Sequence, residues 1–249
     1  MSRLLMLPLI IFAISCGKKD ERIQVIEETD LTPQQIDSVL DEYSFEYSRI
    51  VMIDSIEKVI LPITTQRSSG STFPRYSSKF DSEADSYPNY WNFIFYDIKS
   101  GSARLLTKKK TRISEFETNF YRVGPLLKKS VLYKLADTDF NKDNKLTSED
   151  PLQLCITDQD GENYRRLSPI TEHLVEYHIV PNTDKIIYKT LRDTNNDQKF
   201  DVKDEGIWYI IDLSKDSKPI ELINTKERKE IENLYFKQWL VKEKEEPAI

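Results

Sequence analysis

"SVLYKLADTDFNKDNKLTSEDPLQLCITDQDGENYRRLS", residues 130–168, decides how the rest of the chain is read. An alternating, β-branched and aromatic run (130–136) is followed by an acidic loop (137–150). A second apolar run (152–158), a turn built on Asp and Gly and a short return strand then complete it. The pattern recurs in residues 185–223, "KIIYKTLRDTNNDQKFDVKDEGIWYIIDLSKDSKPIELI". Here again an alternating run leads into an acidic loop, an aromatic strand, a polar turn and a return strand.

Working outward, the hairpin alone is found a third time in "NFIFYDIKSGSARLLT" from Asn92. The three hairpins start at Asn92, Leu152 and Ile207, so the period is 60 and then 55 residues. Each has two earlier strands in front of it: "SRIVMID" with "KVILPIT", a strand near "FETNFYRV" with residues 130–136, and "EHLVEYHIV" with residues 185–191. The reading is therefore a mainly β fold of three four-stranded antiparallel units that look like propeller blades. Three blades are fewer than the four to eight that close a ring, so either a fourth unit goes unrecognised or the assembly is incomplete or open. In the first unit the slot of the acidic loop holds a Ser-rich excursion, residues 67–89. Ahead of the strands, "LTPQQIDSVLDEY" (31–43) predicts an N-terminal helix. Thr32 is its N-cap, Pro33 lies in its first turn, Gln35 completes a capping box and Ile36, Val39, Leu40 and Tyr43 recur at helical spacing. The tail from Asn224 reads either as an amphipathic helix through Ile231, Leu234 and Tyr235 or as a closing strand.

The two acidic loops superpose without a gap. Asp139, Asn141, Asp143, Lys145 and Asp150 align with Asp193, Asn195, Asp197, Lys199 and Asp204 at a constant offset of 54 residues (193 less 139). Oxygen ligands at positions 1, 3 and 5, a backbone carbonyl at 7 and a carboxylate at 12 are what Ca²⁺ needs to gather six to eight oxygens. Residues 139–150 and 193–204 resemble the calcium loops of EF-hands and dockerins, and the resemblance covers those twelve residues only. It implies Ca²⁺ held by the five named residues of each loop, the two lysines through their carbonyls. Asp150 and Asp204 stand where an EF-hand has Glu. Asn144 and Gln198 replace the glycine of position 6, where a positive φ is required. Leu146 and Phe200 take position 8, where an apolar residue faces the core. The flanks read as strands rather than helices, which implies structural clips and not a calcium sensor. The competing reading is a pair of acidic surface turns shaped by Asp and Asn.

The chain begins with Arg3 and an apolar run from Leu4 to Ala13, too short to span a bilayer as a helix. "AISC" then ends at Cys16 and resembles a bacterial lipoprotein lipobox. Residues 1–15 are accordingly read as a signal peptide, Cys16 as the lipidated anchor, residues 16–30 as a flexible tether and 31–249 as the domain. The 249 residues less those 15 leave 234, enough for one large core. "GKKDE" after Cys16 resembles the surface-export tag of lipoproteins in the Bacteroidetes. The segment from Tyr47 to Ile223 resembles propeller-like lipoproteins of that group, and distantly the blades of the periplasmic Tol-system propeller protein. These resemblances imply an outer-membrane protein, displayed at the cell surface in preference to the periplasmic face. A net charge of −6 argues against nucleic acid, whose phosphates demand concentrated Lys and Arg. A mean hydropathy of −0.56 fits a soluble globular domain. With Cys16 lipidated, Cys155 has no partner and reads as a small buried hydrophobe.

Catalysis has little to stand on. The two histidines, His173 and His178, are five apart in one strand, which predicts opposite faces. No nucleophile elbow, zinc-binding helix or phosphate loop is present, and the chain has six glycines. Trp91 and Trp208 open equivalent strands and are read as packing residues. Two functions follow: a calcium-stabilised binding or scaffolding lipoprotein of the envelope, with a polysaccharide or envelope protein as partner, or a lipid-anchored hydrolase of envelope or extracellular polymers.

Overall fold

The structure, a computed structural model, describes residues 43–53, 57–67, 90–143, 146–215 and 218–240. The expected signal peptide, lipidated Cys16, tether and most of the N-terminal helix lie outside these residues, as do nearly all of the Ser-rich excursion, Asn144 and Lys145.

Three antiparallel sheets follow one another along the chain. The first holds β1 (Tyr43–Tyr47), β2 (Val51–Ile53), β3 (Lys58–Arg67), β4 (Asn92–Asp97) and β5 (Ala103–Leu105). The second holds β6 (Arg112–Glu117), β7 (Ser130–Ala136), β8 (Gln153–Asp158) and β9 (Arg165–Arg166). The third holds β10 (Glu172–Ile179), β11 (Lys185–Arg192), β12 (Glu205–Asp212) and β13 (Ile220–Glu221). The second and third are meanders with sequential strands side by side, as is the first from β2 onward, so the expected mainly β, blade-like architecture is present. A helix, α1 (Thr225–Tyr235), and a wider turn, Phe236–Leu240, follow the last strand. Of the two readings of the tail, the helix is the one observed. Asn224 caps it by accepting from the N–H groups of Lys226 and Glu227, while the Glu227 carboxylate accepts from the Asn224 N–H.

Four expectations need correction. Tyr43 does not end a helix; it begins β1, whose backbone pairs with β3 from Tyr43↔Arg67 to Tyr47↔Ile63. The first sheet has five strands, because β1 and β2 share the same edge of β3. They are one outer strand broken at residues 48–50, where the register against β3 moves by one residue. The strand expected near "FETNFYRV" lies earlier, at Arg112–Glu117, and Thr118–Leu126 forms the connection instead. Finally, β10 carries a bulge between Leu174 and Glu176, so His173 pairs with Leu191 and His178 with Ile187. Those partners are four apart, and a bulge residue cancels the odd spacing, so the two histidines share a face. The same one-residue shift occurs in β6 between Ile113 and Glu115. The edge strand of all three units thus shifts register by one residue, within β6 and β10 and across the break between β1 and β2, a repeat that alternation in the sequence could not reveal.

Packing follows from side-chain alternation in the middle sheet. Val131, Tyr133 and Leu135 of β7, with Cys155 of β8, join Ile53, Ile60, Phe93 and Phe95 of the first sheet in one core. Leu132, Leu154 and Ile156, on the opposite face, join Ile186, Tyr188, Ile207 and Tyr209 of the third sheet in another. Every residue of β7 except Lys134 is buried, as a sheet covered on both faces requires. Cys155 is fully buried, as expected, and burial pushes its thiol up to about 12. Polar ties reinforce the stack at its rims. The Tyr177 hydroxyl donates to Glu117 at 2.7 Å, and Asp184 Oδ1 accepts the N–H groups of Leu126 and Leu127, each at 2.9 Å. Gly161 takes a φ of +71° in the β8–β9 turn, and a side chain there would strike the Phe95 ring.

Candidate metal-binding loops

Both acidic loops join the second strand of a sheet to the third, β7 to β8 and β11 to β12. Their hydrogen bonds repeat at the 54-residue offset. Asp150 accepts the Phe140 N–H on Oδ1 at 2.8 Å and the Thr147 N–H on Oδ2 at 2.7 Å. Asp204 accepts the Thr194 N–H on Oδ1 at 3.2 Å and the Asp201 N–H on Oδ2 at 2.9 Å. The last carboxylate of each loop therefore ties down the amides of positions 2 and 9, closing the curl. Within it, Asn141 Oδ1 accepts from the Asp143 N–H at 3.1 Å, and Asn195 Oδ1 from the Asp197 N–H at 2.9 Å. Lys142 and Asn196, both at position 4, have φ of 59° and 58°. Gln198 at position 6 has a φ of 61°, the conformation expected for that position and one that a long side chain adopts at a cost.

The first-position carboxylates complete the curl. Asp139 Oδ1 accepts from the Asp143 N–H at 3.1 Å, and Asp193 Oδ2 from the Gln198 N–H at 3.0 Å. The other Asp193 oxygen, Oδ1, is sealed from solvent and meets no hydrogen-bond partner in the structure. A buried carboxylate oxygen in that position is costly, and a cation would remove the cost. The donor set of each loop, all oxygen, suits a hard cation, and a carboxylate oxygen that accepts one N–H keeps a lone pair for a metal. Among the described residues, however, no three carboxylate, imidazole or thiolate side chains converge as a metal cluster. The loops share one curled backbone whose carboxylates are turned mostly to amides.

The structure brings the two loops together, which their separation in sequence did not announce. Phe140 of the first and Phe200 of the second lie 5.4 Å apart between ring centroids, and the His173 ring stacks on Phe200 at 5.6 Å. Leu146 is buried as position 8 was expected to be, but Phe200 is only half-buried and packs on the neighbouring loop. His173 Nδ1 accepts the Leu152 N–H at 3.3 Å, just beyond the first loop. Burial, with Arg112 nearby, lowers the pKa of His173 to about 4, so the ring is neutral at pH 7.

Ion pairs at the loop mouths also escaped the sequence reading. Asp137, at the end of β7, binds Arg166 of β9 at 2.6 Å. Arg192, at the end of β11, binds Glu221 of β13 at 3.1 Å and buried Glu172 at 2.7 Å. The clamp is the same with its polarity reversed, and the exchange of Asp for Arg where each loop begins was its signal. Of the remaining candidates, Trp208 is half-buried, stacked on His178 with Lys189 beside it, in keeping with the expected packing role. His178 itself is exposed.

No family model matches the chain, and no curated protein does. A solved structure of a chain assigned as TolB from Agrobacterium tumefaciens is similar at 16% identity and a TM-score of 0.34. The likeness covers 67% of this chain and 61% of that one.

Proposed function

We propose that this chain is a calcium-stabilised binding or scaffolding lipoprotein of the bacterial envelope. In this reading, residues 1–15 are a cleaved signal and Cys16 carries the lipid. The domain stands off the outer membrane, facing the cell surface, on the tether of residues 16–30. Ca²⁺ would be held in the first loop by Asp139, Asn141, Asp143, Asp150 and the Lys145 carbonyl. In the second it would be held by Asp193, Asn195, Asp197, Asp204 and the Lys199 carbonyl. The cation supplies positive charge to carboxylates that otherwise repel one another, and its binding energy becomes folding energy. Mg²⁺ suits the loops less, since it demands octahedral geometry and sheds water reluctantly.

The observation that carries the reading is the repeat itself, the same closure by Asp150 and Asp204 in the same slot of two successive sheets. The buried Asp193 Oδ1 adds to it. With loops serving as clips, the partner, a polysaccharide or an envelope protein, is left to the outer surface. Among the described residues, the acids at the rim of one hollow do not favour the hydrolase reading, because Asp97 and Asp160 are paired with Lys58 and Glu162 with Arg104. Isothermal titration of metal-stripped protein tests the metal assignment. Two Ca²⁺ ions per chain are expected, with one lost in each of Asp143→Ala and Asp197→Ala. Absence of binding at millimolar Ca²⁺ would leave acidic turns and remove the proposal.

A further inference from the structure

The outer face of the first sheet, turned away from the middle sheet, carries an apolar hollow of about 430 Å³ lined by Tyr47, Ile50, Leu61, Ile94 and Tyr96. Tyr47 is 62% exposed and Ile50 52%, and Met52 beside them is also 52% exposed. At the far end of the stack, Arg228 ties the first turn of α1 to Glu205 and Glu221 of the third sheet. Beyond that turn, α1 and the wider turn after it carry a convex apolar stripe, Ile231, Leu234, Tyr235 and Trp239, with Phe236 beside it, and no residue of α1 or of that turn is buried. Trp239 is 68% exposed. Hollow and stripe belong to different ends of the stack, with the middle sheet between them.

We propose that a second copy of this chain covers these faces, each copy laying its α1 stripe in the first-sheet hollow of the other. On the hollow face Tyr47, Ile50 and Met52 are half-exposed or more, Tyr96 is 36% exposed and Leu61 and Ile94 less; against the five large side chains of the stripe, each face offers roughly 400–600 Å² of apolar surface, taking about 200 Å² for a whole aromatic side chain. One stripe in one hollow then buries about 1,000 Å² in total, below the 1,200 to 2,000 Å² of stable pairs. Two reciprocal contacts bury about 2,000 Å², which clears it, and reciprocity is what a two-fold axis imposes. The area thus selects a closed pair over a single docking.

The test uses two differently tagged full-length chains expressed together in cells, one with Trp239→Cys and the other with Ile94→Cys, treated with a short bis-maleimide. A covalent heterodimer is expected, at least tenfold above that from Val202→Cys with Ile94→Cys, since Val202 lies fully exposed on the second loop. In parallel, Trp239→Glu in both tagged chains should reduce co-purification at least tenfold, while Trp239→Glu in one chain leaves one contact of two and an intermediate yield. Trp239 is exposed and Ile94 only partly so, and each variant should keep the parent's far-ultraviolet circular dichroism spectrum, which separates loss of pairing from loss of fold. No cross-link above the Val202 control, or co-purification indifferent to Trp239→Glu, would overturn the pair. A third chain carrying both cysteines serves as a control, and cross-linking confined to that single chain would assign the hollow to the chain's own helix and overturn the pair equally.

Discussion

The two acidic loops share a register and a hydrogen-bond plan, yet they are embedded differently. In the first, Asp150 is fully buried, followed by Pro151, and its carbonyl accepts from Arg112 of β6 at 3.5 Å. In the second, Asp204 is half-buried, Gln198 sits at a positive φ, and Asp193 Oδ1 has no partner. The first loop is tied to its own sheet, whereas the second holds a buried carboxylate oxygen without a partner. One sequence pattern thus gives one loop whose closing carboxylate is fully buried and one that leaves a buried carboxylate oxygen without a partner. Part of the difference arises outside the twelve residues, where Pro151 and Arg112 of the adjacent β6 meet the end of the first loop.

Substitution at position 12 should separate the loops most. Asp150→Ala strips two part-buried amides of their acceptor and empties a fully buried position, and at about 1–3 kcal/mol for each unsatisfied group it should cost about 3–5 kcal/mol. Asp204→Ala, in a wetter setting, should cost about 1–2 kcal/mol. Urea unfolding in chelator measures both, and equal losses would break the comparison. Next comes the ion. With Ca²⁺ at about a hundredfold its Kd, each occupied site adds about 2.7 kcal/mol. Asp197→Ala should remove that increment from the second loop and leave the first responsive, as seen in the calcium dependence of the same unfolding curves.

His173 adds a pH effect on the order of 2 kcal/mol. Its folded pKa of about 4 lies below the unfolded 6.5, so the unfolded chain takes up the proton first. Its contribution is therefore present above pH 6.5, fades as pH falls and is gone below about 4. His173→Gln should flatten the unfolding midpoint across that window relative to the parent, and parallel curves would show that the ring is not responsible. The smallest effect is expected at position 6. Gln198→Gly removes the positive-φ cost and should stabilise by about 0.5–1 kcal/mol, with tighter Ca²⁺ binding at the second loop alone. Destabilisation there would mean that the Gln198 side chain matters more than its backbone.

Much of this was legible in the sequence because sheets advertise themselves through period-2 alternation. The runs at residues 130–136, 152–158, 185–191 and 207–212 fall on β7, β8, β11 and β12, with Leu152 alone one residue ahead of its strand. The constant offset of the loops reappeared atom for atom in the closure by Asp150 and Asp204. What alternation hides is the bulge. A single extra residue in β6 and β10 leaves composition untouched but reverses the facing of all that follows, and so the histidines were placed on the wrong faces. Contacts between loops were equally invisible, because Phe140 and Phe200 meet only once two sheets have packed. Tyr43 failed for a different reason, since its helical spacing from Ile36 and Leu40 was overruled by pairing with Arg67 on an edge of β3.

The most direct test of the calcium clips is thermal unfolding of residues 22–249 in excess chelator, in millimolar Ca²⁺ and in millimolar Mg²⁺. Two sites adding about 2.7 kcal/mol each should raise the midpoint by roughly 10–20 °C with Ca²⁺. Mg²⁺ should give little, and Asp143→Ala with Asp197→Ala should abolish the rise. A midpoint unchanged across all three conditions would contradict the clips and reduce both loops to acidic turns.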